Sequence, residues 1–127
     1  MEYSLLIVDD SVTMRGLIRR VLERTSLSLT KVLEASNGAE GLERMREKRI
    51  DLVLADLNMP GMSGEEMIDA MKADDALSHI PVIVVSSEGS QTVLHSLTQK
   101  GVKEVIRKPF EPGVLQQTIE RVLALPA

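Results

Sequence analysis

The chain has 127 residues, with 19 acids against 15 lysines and arginines for a net charge of -4, no cysteine, and Tyr3 and Phe110 as its only aromatic residues. That length suits one domain able to bury roughly two-thirds of the surface its unfolded chain exposes. The lack of thiols excludes a disulfide framework, a thiolate metal site and a thiol nucleophile, and the acidic, aromatic-poor balance speaks against nucleic acid.

The N-terminus carries Glu2 where a leader would be basic, and its apolar run 5–8 is far below the ~20 residues a membrane span requires. A soluble cytoplasmic protein in a reducing compartment is expected. Leu5-Leu6-Ile7-Val8, ended by Asp9-Asp10, has the unbroken apolarity of a first strand buried on both faces. From Ser11 the period becomes helical, with Met14, Leu17, Ile18, Val21 and Leu22 on one stripe and Arg15, Arg19, Arg20 and Glu23 off it. Ser11 or Asp10 can cap that helix. Residues 31–35 predict a short strand, and Asn37 with Glu40 resembles a capping signal for a helix carrying Ala39, Leu42 and Met45 inward. Residues 52–55 predict a third buried strand, which stops at Asp56 and is followed by the turn residues Asn58, Pro60 and Gly61.

Ser63-Gly64-Glu65-Glu66 is a capping box opening a helix with Met67, Ile68 and Met71 on one side, so most of the seven methionines are expected in the core. Pro81 opens a fourth strand, Val82-Ile83-Val84-Val85, ended by Ser86-Ser87. Residues 90–100 place Val93, Leu94 and Leu97 at helical spacing but include Thr92, Ser96 and Thr98, which predicts the least stable helix, stopped by Gly101. Residues 103–107 alternate charged and apolar side chains, as an edge strand does, and Lys108-Pro109 closes them. Pro112 stands at the first position of a last helix whose stripe is Val114, Leu115, Thr118, Ile119, Val122 and Leu123.

Strand and helix thus alternate five times, which predicts an α/β fold: a five-stranded parallel sheet between two helical layers, a (βα)5 three-layer sandwich. Right-handed crossovers and the flavodoxin-like strand order 2-1-3-4-5 put strands one and three at the switch point where such sheets bind ligands. Asp9, Asp10, Asp56, Ser86 and Lys108 follow the last apolar residues of strands one, three, four and five, so the fold alone brings them together. Taken singly each has a plain explanation: Asp56 a turn residue, Asp9 or Asp10 a helix cap, Ser86 a strand end, Lys108 a solvated charge. Taken together, three carboxylates in one cleft repel and are tolerable mainly with a cation among them, and all-oxygen ligands point to Mg2+. Asp56 is then placed as a nucleophile toward phosphorus, with Lys108 and Ser86 as partners of the phosphoryl oxygens.

The segments VDDS (8–11), ADLNMPGMSG (55–64) and KPF (108–110) resemble the receiver domain of bacterial two-component response regulators, most of all the stand-alone chemotaxis (CheY-like) type, and the resemblance spans essentially the whole chain. It implies one receiver domain over 1–127 with no effector domain, since only Ala124-Leu125-Pro126-Ala127 follow Leu123. By the same resemblance Asp56 accepts a phosphoryl group from a histidine kinase. Asp10 and Asp56 ligate Mg2+ with the Asn58 backbone carbonyl, and Asp9 acts mostly through metal-bound water. Ser86 is the switch hydroxyl, Lys108 the phosphoryl-binding lysine, and the Lys108–Pro109 bond is expected to be cis. Asn58 and Glu88 match the positions that modulate loss of the phosphoryl group.

Such a protein is a signalling switch, catalysing only its own phosphoryl transfer and dephosphorylation. It is expected to be a monomer that binds a downstream protein, in chemotaxis or motility, through its fourth helix, fifth strand and fifth helix. One departure stands out: Val105 occupies the place where many receivers carry Tyr or Phe. Val is an excellent strand residue, but it cannot make the aromatic rotamer swing, so the output step or partner is expected to differ from the flagellar-switch type.

Other classes fit less well. A haloacid dehalogenase-type phosphatase needs a second acid where Ser11 stands, and a nucleotide carrier needs a phosphate-cradling glycine motif that is absent. A phosphorelay intermediate and a non-phosphorylated pseudo-receiver remain as alternatives, the full acidic set speaking against the latter. His79 and His95 are expected as exposed bystanders, and the cluster Arg44, Arg46, Lys48, Arg49 as a solvated helix end.

Overall fold

Apolar runs without polar alternation become the inner strands of one parallel sheet, because only a strand covered on both faces can be apolar throughout. The computed structural model describes residues 2–124; Met1 and residues 125–127, the ends of the expected domain, lie outside the described residues. In chain order the elements are β1 (Glu2–Val8), α1 (Val12–Glu23), β2 (Ser28–Ala35), α2 (Gly38–Glu47), β3 (Leu52–Ala55), α3 (Gly64–Lys72), β4 (Val82–Ser86), α4 (Gln91–Gln99), β5 (Glu104–Arg107) and α5 (Pro112–Ala124). The strands run in the order β2-β1-β3-β4-β5, all parallel, as expected for the flavodoxin-like class.

Period-two alternation divides the core between the two faces. Leu6, Val8, Val53, Ala55, Val82 and Val84 pack with Leu42, Met67 and Leu97 of α2, α3 and α4. Leu5, Ile7, Leu52, Leu54, Ile83 and Val85 pack with Ile18, Leu115 and Ile119 of α1 and α5. Helix starts follow the capping residues: Ser11 accepts from Met14 N–H at 3.1 Å, Asn37 from Glu40 N–H at 2.9 Å, and Ser63 and Glu66 form a reciprocal capping box. Gly101, at φ 86, ends α4 in the left-handed conformation that favours glycine.

Several local expectations shift. β2 begins at Ser28, three residues before the expected start, because Glu2 and Tyr3 pair with Ser28 and Leu29 and an edge strand tolerates the polar residues there. β5 starts at Glu104, although Lys103 N–H still bonds Val82 O at 2.9 Å. Ala39 is exposed; the inward face of α2 is Gly38, Gly41, Leu42 and Met45. The two glycines explain the rotation, since a Cβ on Gly38 would lie 2.8 Å from Met62 Cγ and one on Gly41 2.8 Å from Met67 Sδ. Leu17 and Val114 keep 41% and 48% of their surface exposed although both continue apolar stripes. His79 and His95 are exposed, as expected.

Candidate functional site

The last ladder bonds set the site. Val8 lies opposite Ala55, so the next residues, Asp9 and Asp56, leave adjacent strands side by side. Their main chains stay in the ladder: Asp9 N–H donates to Ala35 O at 3.0 Å and Asp56 N–H to Val8 O at 2.9 Å. Asp9 and Asp56 are 1% and 7% exposed, whereas Asp10 is open to solvent. One carboxylate oxygen from each of Asp9, Asp10 and Asp56 lies within 4.8 Å of the others.

Lys108 enters this group from the end of β5. Its Nζ donates to Asp9 Oδ2 at 2.8 Å and to Asp56 Oδ2 at 3.1 Å, so part of the charge balance that three acids require is the protein's own. Burial pulls the ammonium's pKa down, but the hydrogen bonds to Asp9 and Asp56 and their charges outweigh it and hold it above its ordinary value. The sequence alone marks Lys108 as a group for phosphoryl oxygens and does not reveal this resting pair. Lys108 N–H also bonds Ser86 O at 3.0 Å, and the Lys108–Pro109 peptide is cis.

The remaining carboxylate oxygens are held by main-chain donors. Asp9 Oδ1 accepts from Ser11 N–H at 2.9 Å; Asp56 Oδ1 accepts from Leu57 N–H at 2.7 Å and from Asn58 N–H at 3.4 Å. The Asp10 carboxylate accepts no protein hydrogen bond among the described residues, which leaves both its oxygens for a cation. A hard, oxygen-only cluster of this kind fits Mg2+, which binds one or two carboxylates and retains several waters.

Ser86 is wholly buried at the end of β4, and its Oγ accepts from Glu88 N–H at 3.2 Å. No hydrogen bond joins its side chain to Asp56 or Lys108 among the described residues, so its O–H is unspent. Asn58 is exposed on the loop after β3, Glu88 half-buried on the loop after β4, and Val105 half-buried against the core between the sheet and α4. Two further contacts go beyond the roles read from the sequence motifs. A Cβ on Gly64 would fall 1.9 Å from Asp56 O, so α3 can begin this close to the loop only because residue 64 has no side chain. Arg15 Nη1 donates to Asp9 O at 2.6 Å, a contact that depends on the packing of α1 over β1 and β2.

The family model for the response regulator receiver domain matches residues 5–120. The chain belongs to this family. The chemotaxis protein CheY of Pseudomonas aeruginosa is 36% identical to this receiver over 118 residues, covering 93% of this chain and 94% of the relative. The solved structure of chemotaxis protein CheY4 of Vibrio cholerae superposes with a TM-score of 0.85 at 28% identity, covering 96% of this chain and 99% of that one. That of the phosphorylated cyanobacterial phytochrome response regulator RcpA gives 0.82 at 25% identity, covering 96% and 91%. A receiver is a phosphorylation-activated switch and not an enzyme in the ordinary sense, and the acidic cluster of this receiver is consistent with that chemistry. Among the described residues no helix is long and apolar enough to cross a membrane.

Proposed function

We propose that this receiver takes a phosphoryl group from a histidine kinase onto Asp56, with Mg2+ held by Asp9, Asp10, Asp56 and the Asn58 carbonyl, and that it signals by binding another protein in chemotaxis. The observation that carries the reading is the buried Asp56 carboxylate, paired with the Lys108 ammonium at 3.1 Å and clustered with Asp9 and Asp10. The names of the CheY relatives support the chemotaxis assignment, and the phosphorylated state of RcpA supports the reaction. The cytoplasm, where histidine kinases present their phosphohistidine and where a cysteine-free chain is at home, is the compartment that fits.

In the transfer a carboxylate oxygen of Asp56 attacks phosphorus. The new O–P bond forms as the N–P bond of the phosphohistidine breaks, and the electron pair of that bond returns to the imidazole. Bound Mg2+ supplies positive charge to the phosphoryl oxygens. Leu57 N–H, 2.7 Å from Asp56 Oδ1, holds the nucleophile in one orientation. The Lys108 ammonium already touches the carboxylate, so it moves little to reach the phosphoryl oxygens that become the new negative centre. Ser86 has an unspent O–H to donate to the same oxygens. Asn58 and Glu88, on the two flanking loops, are the side chains suited to influence the attack of water that ends the signal. The face built from α4, β5 and α5 is the output surface, with Val105 altering the last step.

Acetyl phosphate with Mg2+ tests the assignment without a kinase. Intact-mass measurement should show one added phosphoryl group on wild type and none on Asp56→Asn; equal modification of the two would remove Asp56 from the role.

A further inference from the structure

The main chain of Asp9 is tied on both sides to β2 and its neighbourhood. Its N–H donates to Ala35 O at 3.0 Å, and its carbonyl accepts from Arg15 Nη1 at 2.6 Å. Arg15 is itself held, because its Nε donates to Glu34 Oε1 at 2.8 Å and its side chain is only 15% exposed. Glu34 lies opposite Ile7 in the β1–β2 register, on the face that looks toward α1, which brings its carboxylate within reach of two successive turns of that helix. Arg19, one turn on, donates through Nε to Glu34 Oε2 at 2.9 Å and through Nη2 to Val32 O at 2.9 Å. Both arginines therefore pin α1 to β2. Only Arg15 also grips the segment that carries Asp9 and Asp10.

That grip acts on Asp10 through the peptide plane. The carbonyl of Asp9 and the N–H of Asp10 belong to one rigid unit, so fixing the direction of the carbonyl fixes the plane from which Asp10 departs. Asp10 is exposed and its carboxylate accepts no protein hydrogen bond among the described residues, so its direction toward Asp56 is set by the main chain on either side of it: this plane, and the Ser11 N–H that Asp9 Oδ1 holds at 2.9 Å. A guanidinium suits the task because its planar fork serves the carbonyl and the carboxylate at once. We infer that Arg15 is a positioning residue for the metal site: clamped by Glu34, it holds the Asp9–Asp10 peptide so that the Asp10 carboxylate meets a divalent cation shared with Asp56.

The inference rests on the reading of Asp9, Asp10 and Asp56 as the Mg2+ site, and the test separates the two. Charge alone predicts the opposite sign, since removing a cation beside three carboxylates would tighten Mg2+ binding. Calorimetric titration of Mg2+ into the full chain, with thermal melts in metal-free buffer, distinguishes the cases. Arg15→Ala should weaken Mg2+ binding about tenfold, as loss of an orienting partner behind a metal ligand does. Arg15→Lys, which keeps the charge but cannot serve both acceptors, should fall between, and it carries the test if Arg15→Ala does not fold. Arg19→Ala should lose comparable thermal stability while binding Mg2+ like wild type. Unchanged or tighter binding by Arg15→Ala, or equal weakening in Arg15→Ala and Arg19→Ala, would overturn the positioning role while leaving the metal site in place. A wild type that does not bind Mg2+ would overturn the metal reading itself.

Discussion

Gly64 and Asp56 are in contact through their main chains: a Cβ on Gly64 would fall 1.9 Å from the Asp56 carbonyl oxygen and 2.9 Å from its carbonyl carbon. Gly64 N–H bonds Leu57 O at 3.0 Å, so the start of α3 is docked on Asp56 and on the residue whose N–H holds the Asp56 carboxylate. Backbone atoms cannot step aside as a flexible side chain can. Gly64→Ala should therefore displace the loop after β3, cost about 1–3 kcal/mol, and slow acetyl phosphate labelling of Asp56 by more than its stability loss explains. Labelling rates measured well below the melting temperature check this; a folded variant with a wild-type rate would show that the close approach does not position Asp56.

Asp10 adds a third carboxylate beside Asp9 and Asp56, where one Lys108 ammonium is shared by two. The cluster remains net negative, and the repulsion within it costs stability while no cation is bound. Asp10→Asn should raise the melting temperature in metal-free buffer by roughly 2–4 °C, equivalent to about 1 kcal/mol. Mg2+, binding only the native state, should stabilise wild type and have much less effect on the variant. Melts with and without Mg2+ decide it, and identical metal responses would remove Asp10 from the site.

Glu34 gives a pH dependence on the acid side. Partial burial raises its pKa, but the hydrogen bonds and charges of Arg19 and Arg15 outweigh burial and hold it below its ordinary value of 4.5. A depressed carboxylate contributes stability above the unfolded value and loses it as pH falls through the folded one. Because the group is about one-third exposed, the contribution should be only about 1 kcal/mol. Denaturant titrations of wild type and Glu34→Gln should differ by that amount at neutral pH and converge below about pH 4. A constant difference across that range would show that the ionised carboxylate is not what the arginines hold.

The strand ends were legible in the sequence because each apolar run stops at a polar residue, and the strand order then makes Asp9 and Asp56 neighbours. Contacts that cross between elements were not. Arg15 can be seen off the apolar stripe, but its reach to Asp9 O depends on the β1–β2 register and on how α1 lies over it. The Lys108 pair with Asp9 and Asp56 spans 99 and 52 positions of chain, and no local pattern announces it. In α2 the apolar spacing named Ala39 as inward, whereas the close approach of glycines 38 and 41 to α3 and the loop before it turns Ala39 outward.

The same geometry predicts where a phosphoryl signal leaves the site. Ser86 Oγ accepts from Glu88 N–H, so a Ser86 hydroxyl drawn toward phosphoryl oxygens takes the loop after β4 with it. Gly89 in that loop lies against the Arg107 guanidinium, where a Cβ would come within 2.7 Å of Cζ. Val105 is too short to fill vacated space as an aromatic ring does, which leaves the loop and the start of α4 to move. α4 is anchored unequally: Lys100 at its C-terminal end pairs with Asp69 at 2.9 Å and Glu65 at 3.5 Å on α3, while Ser90 caps its N-terminal end by a single 3.2 Å bond to Val93 N–H. Beryllofluoride, a phosphoryl mimic, should therefore change amide exchange most over 87–95 and progressively less toward Lys100, with a coupling of about 1–3 kcal/mol. Hydrogen exchange with and without the mimic tests the route, and protection changes confined to 57–64, with none across 87–107, would rule it out.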